Sequence, residues 1–130
     1  MRKKILVVED EEALSLSLRD NLIQEGFDVI LAKDGEEGLA TALKERPDLI
    51  LLDILMPKMD GMTMLMKLRQ IEGNNKIPVI LLTVLEANDT ILQGVVRDLP
   101  AYYLLKTDFT IMDIVKKIRT IPGFEKEESN

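Results

Sequence analysis

The sequence predicts an α/β fold in which a five-stranded parallel sheet carries helices on both faces. Five short apolar runs, at about 4–9, 28–32, 48–53, 78–83 and 101–106, have the length and composition of strands. The stretches between and after these runs place apolar residues at helical spacing. A strand–helix unit repeated five times makes parallel strands, because each helix returns the chain to the edge where it started.

Residues that begin and end helices support this alternation. Gly26 follows the first helical stretch, and Pro47 and Pro100 follow the second and the fourth. Thr110 and Asp113 match a capping box at the start of the last helix, with Asp in place of the usual Glu. The predicted helices are 13–24, 36–46, 62–71, 87–99 and 111–121. In the fourth of them, the residues expected to face the sheet are Ile91, Leu92, Val95 and Val96.

Composition and charge exclude several classes of function. The 130 residues fit one domain, and the formal net charge of −6 argues against nucleic acid as a direct partner. The absence of cysteine excludes disulfides and thiolate chemistry. The absence of histidine excludes Ser-His and Cys-His catalysis and a phosphohistidine on this chain.

The first and last residues of the sequence bear on location and on the extent of the folded domain. The first apolar run holds four residues, which is too short for a signal peptide core or a membrane span, so we expect a cytoplasmic protein that does not enter a membrane. Residues 1–121 are predicted to form the folded domain. Residues 122–130 are predicted to form an acidic, frayed end.

Polar side chains follow four of the predicted strands at the point where each strand ends. Glu9 and Asp10 follow the first strand, Asp53 ends the third, Thr83 ends the fourth and Lys106 ends the fifth. Open parallel sheets bind their ligands at the carboxyl ends of the strands. If the strands are parallel, a carboxylate cluster, a hydroxyl and an ammonium therefore meet at one edge.

This set of groups suits magnesium-assisted phosphoryl transfer. At about 5 Å, two carboxylates repel by about 3 kcal/mol at an effective dielectric constant near 20, and an oxygen-ligated Mg²⁺ relieves that repulsion. Asp53 would attack phosphorus and form an acyl phosphate. The same residues have plainer interpretations: Asp53 as a turn residue, Asp10 as a surface acid, Thr83 as a β-branched strand residue and Lys106 as a solvated strand end.

From about residue 4 to residue 120, the sequence resembles the receiver domain of two-component response regulators. The resemblance implies a flavodoxin-like, doubly wound (βα)5 fold with strand order 2-1-3-4-5. It implies that Asp53 is the phosphoacceptor, that Thr83 is the switch hydroxyl, that Lys106 is the conserved lysine and that Tyr103 is the switch aromatic. It also implies a Mg²⁺ site made by Glu9, Asp10, Asp53 and the Leu55 backbone carbonyl.

The resemblance also implies a function and its partners. A histidine kinase or a histidine phosphotransfer protein would donate the phosphoryl group to Asp53, and loading would change the surface of helix 4, strand 5 and helix 5. We expect a stand-alone receiver whose output passes through a downstream effector protein or a homodimer formed by that surface. We expect no enzymatic turnover beyond transfer to, and hydrolysis from, its own aspartate.

Several residues depart from the pattern of that family. Thr107 stands where a proline with a cis peptide bond is usual, so the Lys106–Thr107 peptide is expected to be trans. Leu99 and Pro100 replace a usual Gly-Ala pair before the last strand. Val84 is larger than the usual Ala or Gly and is expected to narrow access to the phosphoryl site. Apolar residues at Leu55 and Leu85 are expected to prolong the life of the phosphoryl group.

Two other functions compete with this interpretation. A pseudo-receiver would bind proteins without ever carrying phosphate, and Val84 and Thr107 favour it. A haloacid-dehalogenase-type phosphatase would also use a strand-end Asp, but it requires a second Asp where Leu55 stands. Nucleotide enzymes of the GxxxxGK[ST] or GxGxxG type are excluded, because neither motif occurs.

Overall fold

The computed structural model describes residues 2–73, 75–86 and 88–126 of the chain. Within them, strands and helices alternate strictly. The strands are β1 (Lys4–Val8), β2 (Asp28–Ala32), β3 (Leu49–Leu52), β4 (Val79–Thr83) and β5 (Tyr102–Leu105). The helices are α1 (Glu12–Gln24), α2 (Gly35–Glu45), α3 (Gly61–Glu72), α4 (Asp89–Asp98) and α5 (Ile111–Arg119).

The five strands form one parallel sheet in the order β2-β1-β3-β4-β5. The predicted flavodoxin-like fold and strand order are therefore confirmed. Strand β3 lies in the middle of the sheet, between β1 and β4, and all four of its residues are buried. This central position places whatever follows β3 at the middle of the sheet's carboxyl edge.

Alternate residues of the strands pack in two separate hydrophobic cores, one on each face of the sheet. Ile5 and Leu51 point to one face, where α1 and α5 cover them, and Leu6 and Ile50 point to the other, beneath α2, α3 and α4. Successive side chains of a strand point to opposite faces, so a strand covered on both sides reads as an unbroken apolar run. This explains why the strand signal was strong in the sequence.

Side-chain caps fix where four of the helices begin. The side chains of Asp34, Asp60, Asn88 and Thr110 each accept a hydrogen bond from the backbone amide three residues further on. Asp113 also bonds back to the Thr110 amide at 2.9 Å, so the predicted capping box is confirmed. Such caps satisfy amides that the first turn of a helix leaves free.

The apolar face predicted for α4 is only partly correct. Ile91 is buried and Val95 packs against the core beneath it, but the Leu92 side chain is 49% exposed. Neighbouring residues of a helix are rotated by about 100°, so burying Ile91 turns Leu92 outward. Two parts of that prediction, Ala87 and the Val96 side chain, lie outside the described residues.

The chain also remains packed beyond α5, where the sequence predicted fraying. Phe124 is 3% exposed and its ring centroid lies 6.1 Å from that of Phe27. The expectation of a frayed end is therefore wrong at Phe124, because an aromatic side chain there completes the core beside α1 and α5. Residues 127–130, like Met1 and Asn74, lie outside the described residues, and the boundary placed after residue 121 stays a prediction.

A search of the helices in the described part of the chain finds none with the length and apolar character needed to span a membrane.

Candidate functional site

The candidate site lies at the carboxyl edge of the sheet, where backbone hydrogen bonds fix three of the predicted residues. The Asp53 amide donates to the Val8 carbonyl at 3.0 Å, and the Lys106 amide donates to the Thr83 carbonyl at 2.8 Å. Glu9 is held in the same way, by a 3.0 Å hydrogen bond to the carbonyl at the end of β2. The side chains at this edge therefore start from rigid positions.

Three carboxylates meet at this edge. Glu9, Asp10 and Asp53 each offer one oxygen, and these oxygens lie within 4.8 Å of one another. Glu9 and Asp53 are each 5% exposed, whereas Asp10 is exposed. Buried carboxylates this close are costly as bare anions, and a hard cation with oxygen ligands relieves that cost. The donor set therefore fits Mg²⁺, with Asp10 on the side open to water.

Lys106 supplies the positive charge beside these acids. Its ammonium donates hydrogen bonds to Glu9 Oε1 and, at 3.1 Å, to Asp53 Oδ2. The Lys106 side chain is 15% exposed, so both contacts are largely shielded from water. The sequence predicted that Lys106 would meet Asp53, but the hydrogen bond to Glu9 depends on side-chain distances that the sequence does not contain.

The protonation equilibria of the site follow from burial and from these contacts. Burial, reinforced by the neighbouring Asp53, raises the pKa of Glu9 to about 7, although Lys106 acts in the opposite direction. Burial lowers the pKa of Lys106, but its hydrogen bonds and charge interactions with Glu9 and Asp53 outweigh burial, so its pKa is raised overall. Lys106 is therefore the stable cation of the site, and Glu9 keeps its proton to a higher pH than a solvent-exposed glutamic acid does.

The two residues predicted to act as a switch bond to opposite sides of Leu85. The buried Thr83 hydroxyl accepts a hydrogen bond from the Leu85 amide at 3.3 Å, and the Tyr103 hydroxyl donates to the Leu85 carbonyl. Burial raises the pKa of Tyr103, so the hydroxyl stays a donor. Sequence reasoning missed Leu85 as the link, because a backbone contact leaves no side-chain signal.

The loop after β3 is closed tightly against the site. The Leu55 amide donates to Asp53 Oδ1 at 3.3 Å, and the Gly61 amide donates to the Ile54 carbonyl at 2.9 Å. A Cβ on Gly61 would lie 2.0 Å from the Asp53 carbonyl oxygen, so only glycine permits this approach. Gly61 thus begins α3 with its backbone directly against that of Asp53 and Ile54.

Apolar side chains stand at the rim of the site. Leu55 is 49% exposed and Val84 is 55% exposed. The effects expected of Val84 on access and of Leu55 and Leu85 on the life of a phosphoryl group stay predictions. The Lys106–Thr107 peptide is trans, as expected for a bond that precedes threonine.

The fold and this edge together define a class of protein: a five-stranded parallel α/β domain with acids and a lysine at the carboxyl ends of its strands. The chain matches the response regulator receiver domain over residues 5–119. It belongs to that family.

Curated relatives extend the same result. The DNA-binding dual master transcriptional regulator RpaA of Synechocystis is 36% identical over 91% of this chain and 48% of its own length. The transcriptional regulatory protein RprY of Bacteroides fragilis is 34% identical over 98% of this chain and 54% of its own length. The alkaline phosphatase synthesis transcriptional regulatory protein PhoP of Bacillus subtilis is 49% identical over 64% of this chain and 34% of its own. The chain thus spans about half, or less, of these relatives.

Solved structures show the same architecture. A CheY-like receiver domain protein from Methanospirillum hungatei has a TM-score of 0.83 at 28% identity, with 92% of this chain and 93% of that chain covered. The BeF3-activated N-terminal receiver domain of Klebsiella pneumoniae RstA has a TM-score of 0.77 at 30% identity, with 90% and 96% covered.

Proposed function

We propose that this chain is a phosphorylation switch in which Asp53 accepts a phosphoryl group from a phosphohistidine of a histidine kinase or a histidine phosphotransfer protein. The observation that carries the proposal is the buried Asp53 carboxylate, held 3.1 Å from the Lys106 ammonium within a cluster of acids. Membership of the receiver family supports the same assignment.

The chemistry assigned to Asp53 is an in-line displacement. A carboxylate oxygen attacks phosphorus, and an O–P bond forms as the P–N bond to the donor histidine breaks. The imidazole, which already carries a proton on its other nitrogen, keeps the electron pair of the broken bond and leaves as the neutral ring. Lys106, already paired with Asp53, is placed to neutralise a phosphoryl oxygen. Such transfers depend chiefly on alignment and on stabilisation of the charge on the phosphoryl oxygens.

A magnesium ion at this edge would be held by Glu9, Asp10, Asp53 and the Leu55 backbone carbonyl. When bound, it would supply positive charge to the phosphoryl oxygens and to the crowded carboxylates. The oxygen-only donor set and the mutual distance of 4.8 Å or less among the three carboxylates support this assignment.

The proposed output is a change in the face formed by α4, β5 and α5. Thr83 and Tyr103 bond to opposite sides of Leu85, which lies in the segment between β4 and α4. A phosphoryl oxygen that draws the Thr83 hydroxyl away from the Leu85 amide would shift the balance between two arrangements of this segment. A downstream effector protein, or a second copy of the chain, would read the altered face.

Location, reactions and domain composition complete the proposed function. The chain would work in the cytoplasm, and its only reactions would be transfer to Asp53 and hydrolysis from it. We also propose that the chain acts without an attached output domain. In this it would differ from the curated relatives, of which it spans 34%, 48% and 54%. The intact mass of the native protein from its source cells would decide that point.

The direct test is the intact mass of the protein after incubation with phosphoramidate and Mg²⁺. We expect the mass of one phosphoryl group on the wild-type chain, and none on Asp53→Ala or without Mg²⁺. Asp10→Asn is expected to slow loading without abolishing the acceptor. An unmodified wild-type chain, also after incubation with phosphorylated kinases, would favour the pseudo-receiver.

A further inference from the structure

The loop that follows Asp53, residues 54–60, contains a turn with unfavourable backbone geometry. Lys58 has a φ of +67°, and the Met59 amide donates to the Pro57 carbonyl at 2.8 Å. A hydrogen bond that spans one residue with positive φ marks a γ-turn of the rare, strained type. Strain of this kind persists only where the surrounding structure enforces it.

Two residues at the start of α2 enforce this turn from the neighbouring loop. The Gly35 amide donates to the Met59 carbonyl at 3.1 Å. The Asp34 carboxylate lies 3.8 Å from the Lys58 ammonium, and its side chain is 5% exposed. Asp34 also caps α2, by accepting a 2.8 Å hydrogen bond from the Glu37 amide. The strained turn is therefore anchored to the end of a helix.

The contact between α2 and the loop requires glycine. A Cβ on Gly35 would lie 2.1 Å from the Met59 carbonyl oxygen, which is closer than any side chain tolerates. The Gly35 amide belongs to the first turn of α2, where amides have no partner within the helix. The loop carbonyl thus satisfies a helix amide that would otherwise be left free, and the two segments hold each other.

The other end of the same loop touches the acceptor. The Leu55 amide donates to Asp53 Oδ1 at 3.3 Å, and Gly61 closes the loop onto Ile54. We infer that Asp34 and Gly35 are positioning residues for phosphoryl transfer, because they hold the 54–60 loop, and with it the Leu55 peptide, in register with Asp53. This inference rests on the proposed function of Asp53.

The test compares two glycines of the same helix. In Gly35→Ala the new methyl group forces the loop away by roughly 1 Å, a displacement that can cost up to about 100-fold in rate. In Gly38→Ala it would lie 2.8 Å from Val8 Cγ1 and 2.9 Å from Met64 Sδ, so that it disturbs side chains of the core and not the backbone of the 54–60 loop. We expect loading from phosphoramidate with Mg²⁺ to be roughly 10- to 100-fold slower in Gly35→Ala. Gly38→Ala is expected to slow loading less than Gly35→Ala does, because its methyl group meets side-chain atoms of the core and not the backbone of the 54–60 loop.

A second readout needs neither phosphodonor nor metal. Amide spectra and hydrogen exchange of the full chain are expected to change at Leu55, Met59 and Gly61 in Gly35→Ala, and to change less there in Gly38→Ala. Equal loading rates for the two variants, or unchanged loop amides in Gly35→Ala, would overturn the inference. If the wild-type chain is not loaded at all, the proposed function fails. The loop amides then test by themselves whether Gly35 holds the 54–60 loop, so the two failures can be told apart.

A second variant, Lys58→Met, tests the inference if the Gly35→Ala chain does not fold. The Lys58 side chain is 62% exposed, so replacing it leaves the core intact. Loss of the contact with Asp34 is expected to speed exchange of the Met59 amide and to slow loading about two- to fivefold, the range for a largely exposed ion pair. Wild-type exchange and loading in Lys58→Met, with Gly35→Ala unfolded, would count against the inference.

Discussion

Lys106 contacts two buried carboxylates, those of Glu9 and Asp53. Removing one partner of a buried pair leaves uncompensated charge, which typically costs about 3–5 kcal/mol. We therefore expect Lys106→Met to lower the free energy of unfolding by about that amount at pH 8, measured by urea denaturation. Lys67→Met, at an exposed position on α3, is the control, and superimposable curves for the two variants would contradict this account.

Glu9 gives the site a pH dependence whose sign follows from its pKa. Burial raises that pKa from 4.5 to about 7, so in this interval the native state holds a proton that the unfolded chain has released. The stability contributed by protonated Glu9 is present below pH 4.5 and is lost as the pH rises through about 7.

Urea denaturation without divalent cations between about pH 5 and pH 8 tests this sign. The free energy of unfolding is expected to fall as the pH rises, and Glu9→Gln is expected to flatten that slope. A wild-type stability that increases over the same range, with Glu9→Gln no different, would show that Glu9 does not hold the proton.

At the scale of single elements, the end of α4 stores strain. Leu99 is its C-cap, with a φ of +46° and a side chain that is 62% exposed. Left-handed backbone disfavours every residue with a Cβ, and glycine is the usual choice at such helix ends. We expect Leu99→Gly to raise the free energy of unfolding by about 0.5–1 kcal/mol.

The matched control is Leu99→Ala, which removes the exposed side chain and keeps the strain. It is expected to unfold close to the wild-type midpoint. If alanine stabilises the chain as much as glycine does, the exposed leucine side chain, and not the backbone, is the source of the effect.

The elements themselves were largely readable from the sequence. Ile50 and Leu51 are buried on opposite faces of β3, and such double burial leaves an unbroken apolar run. Helix faces were less certain, because Leu92 is as apolar as Ile91 and the spacing allowed both to face the sheet. Only the position of α4 on the sheet decides which of the two is covered.

The candidate site was predictable where chain order alone determined it. Asp53 and Lys106 each follow a strand, and parallel strands bring such residues to one edge. The links that depend on folded distances were not predictable: the hydrogen bond from Lys106 to Glu9, the backbone of Leu85 between two hydroxyls, and the strained turn at Lys58. None of these leaves a pattern of residue types along the chain.

At the scale of the whole molecule, the segment after α5 is part of the fold. Phe124 packs on Phe27, and the Arg119 side chain bonds to the Phe124 carbonyl and to Glu25. Truncating a buried phenylalanine to alanine typically costs about 3–5 kcal/mol. We expect Phe124→Ala to lower the thermal midpoint clearly, whereas Lys126→Ala, at an exposed position, should leave it unchanged.

Calorimetry of the two variants measures these midpoints. Equal midpoints for Phe124→Ala and Lys126→Ala would show that the segment after α5 does not contribute to the stability of the fold. Loading of Asp53 is expected to survive in Phe124→Ala at temperatures where the chain stays folded, since Phe124 lies in the core cluster beside α1 and α5 and away from the candidate site.

The Lys3 ammonium lies 5.5 Å from the centre of the Phe124 ring, so the first strand begins close to where the described chain ends. Both points lie beyond the amino ends of the strands, about one strand length, or roughly 16 Å, from the acids. A fluorophore attached to the side chain of Lys3, or to that of the exposed Lys126 two residues beyond Phe124, would therefore leave the acidic edge uncovered.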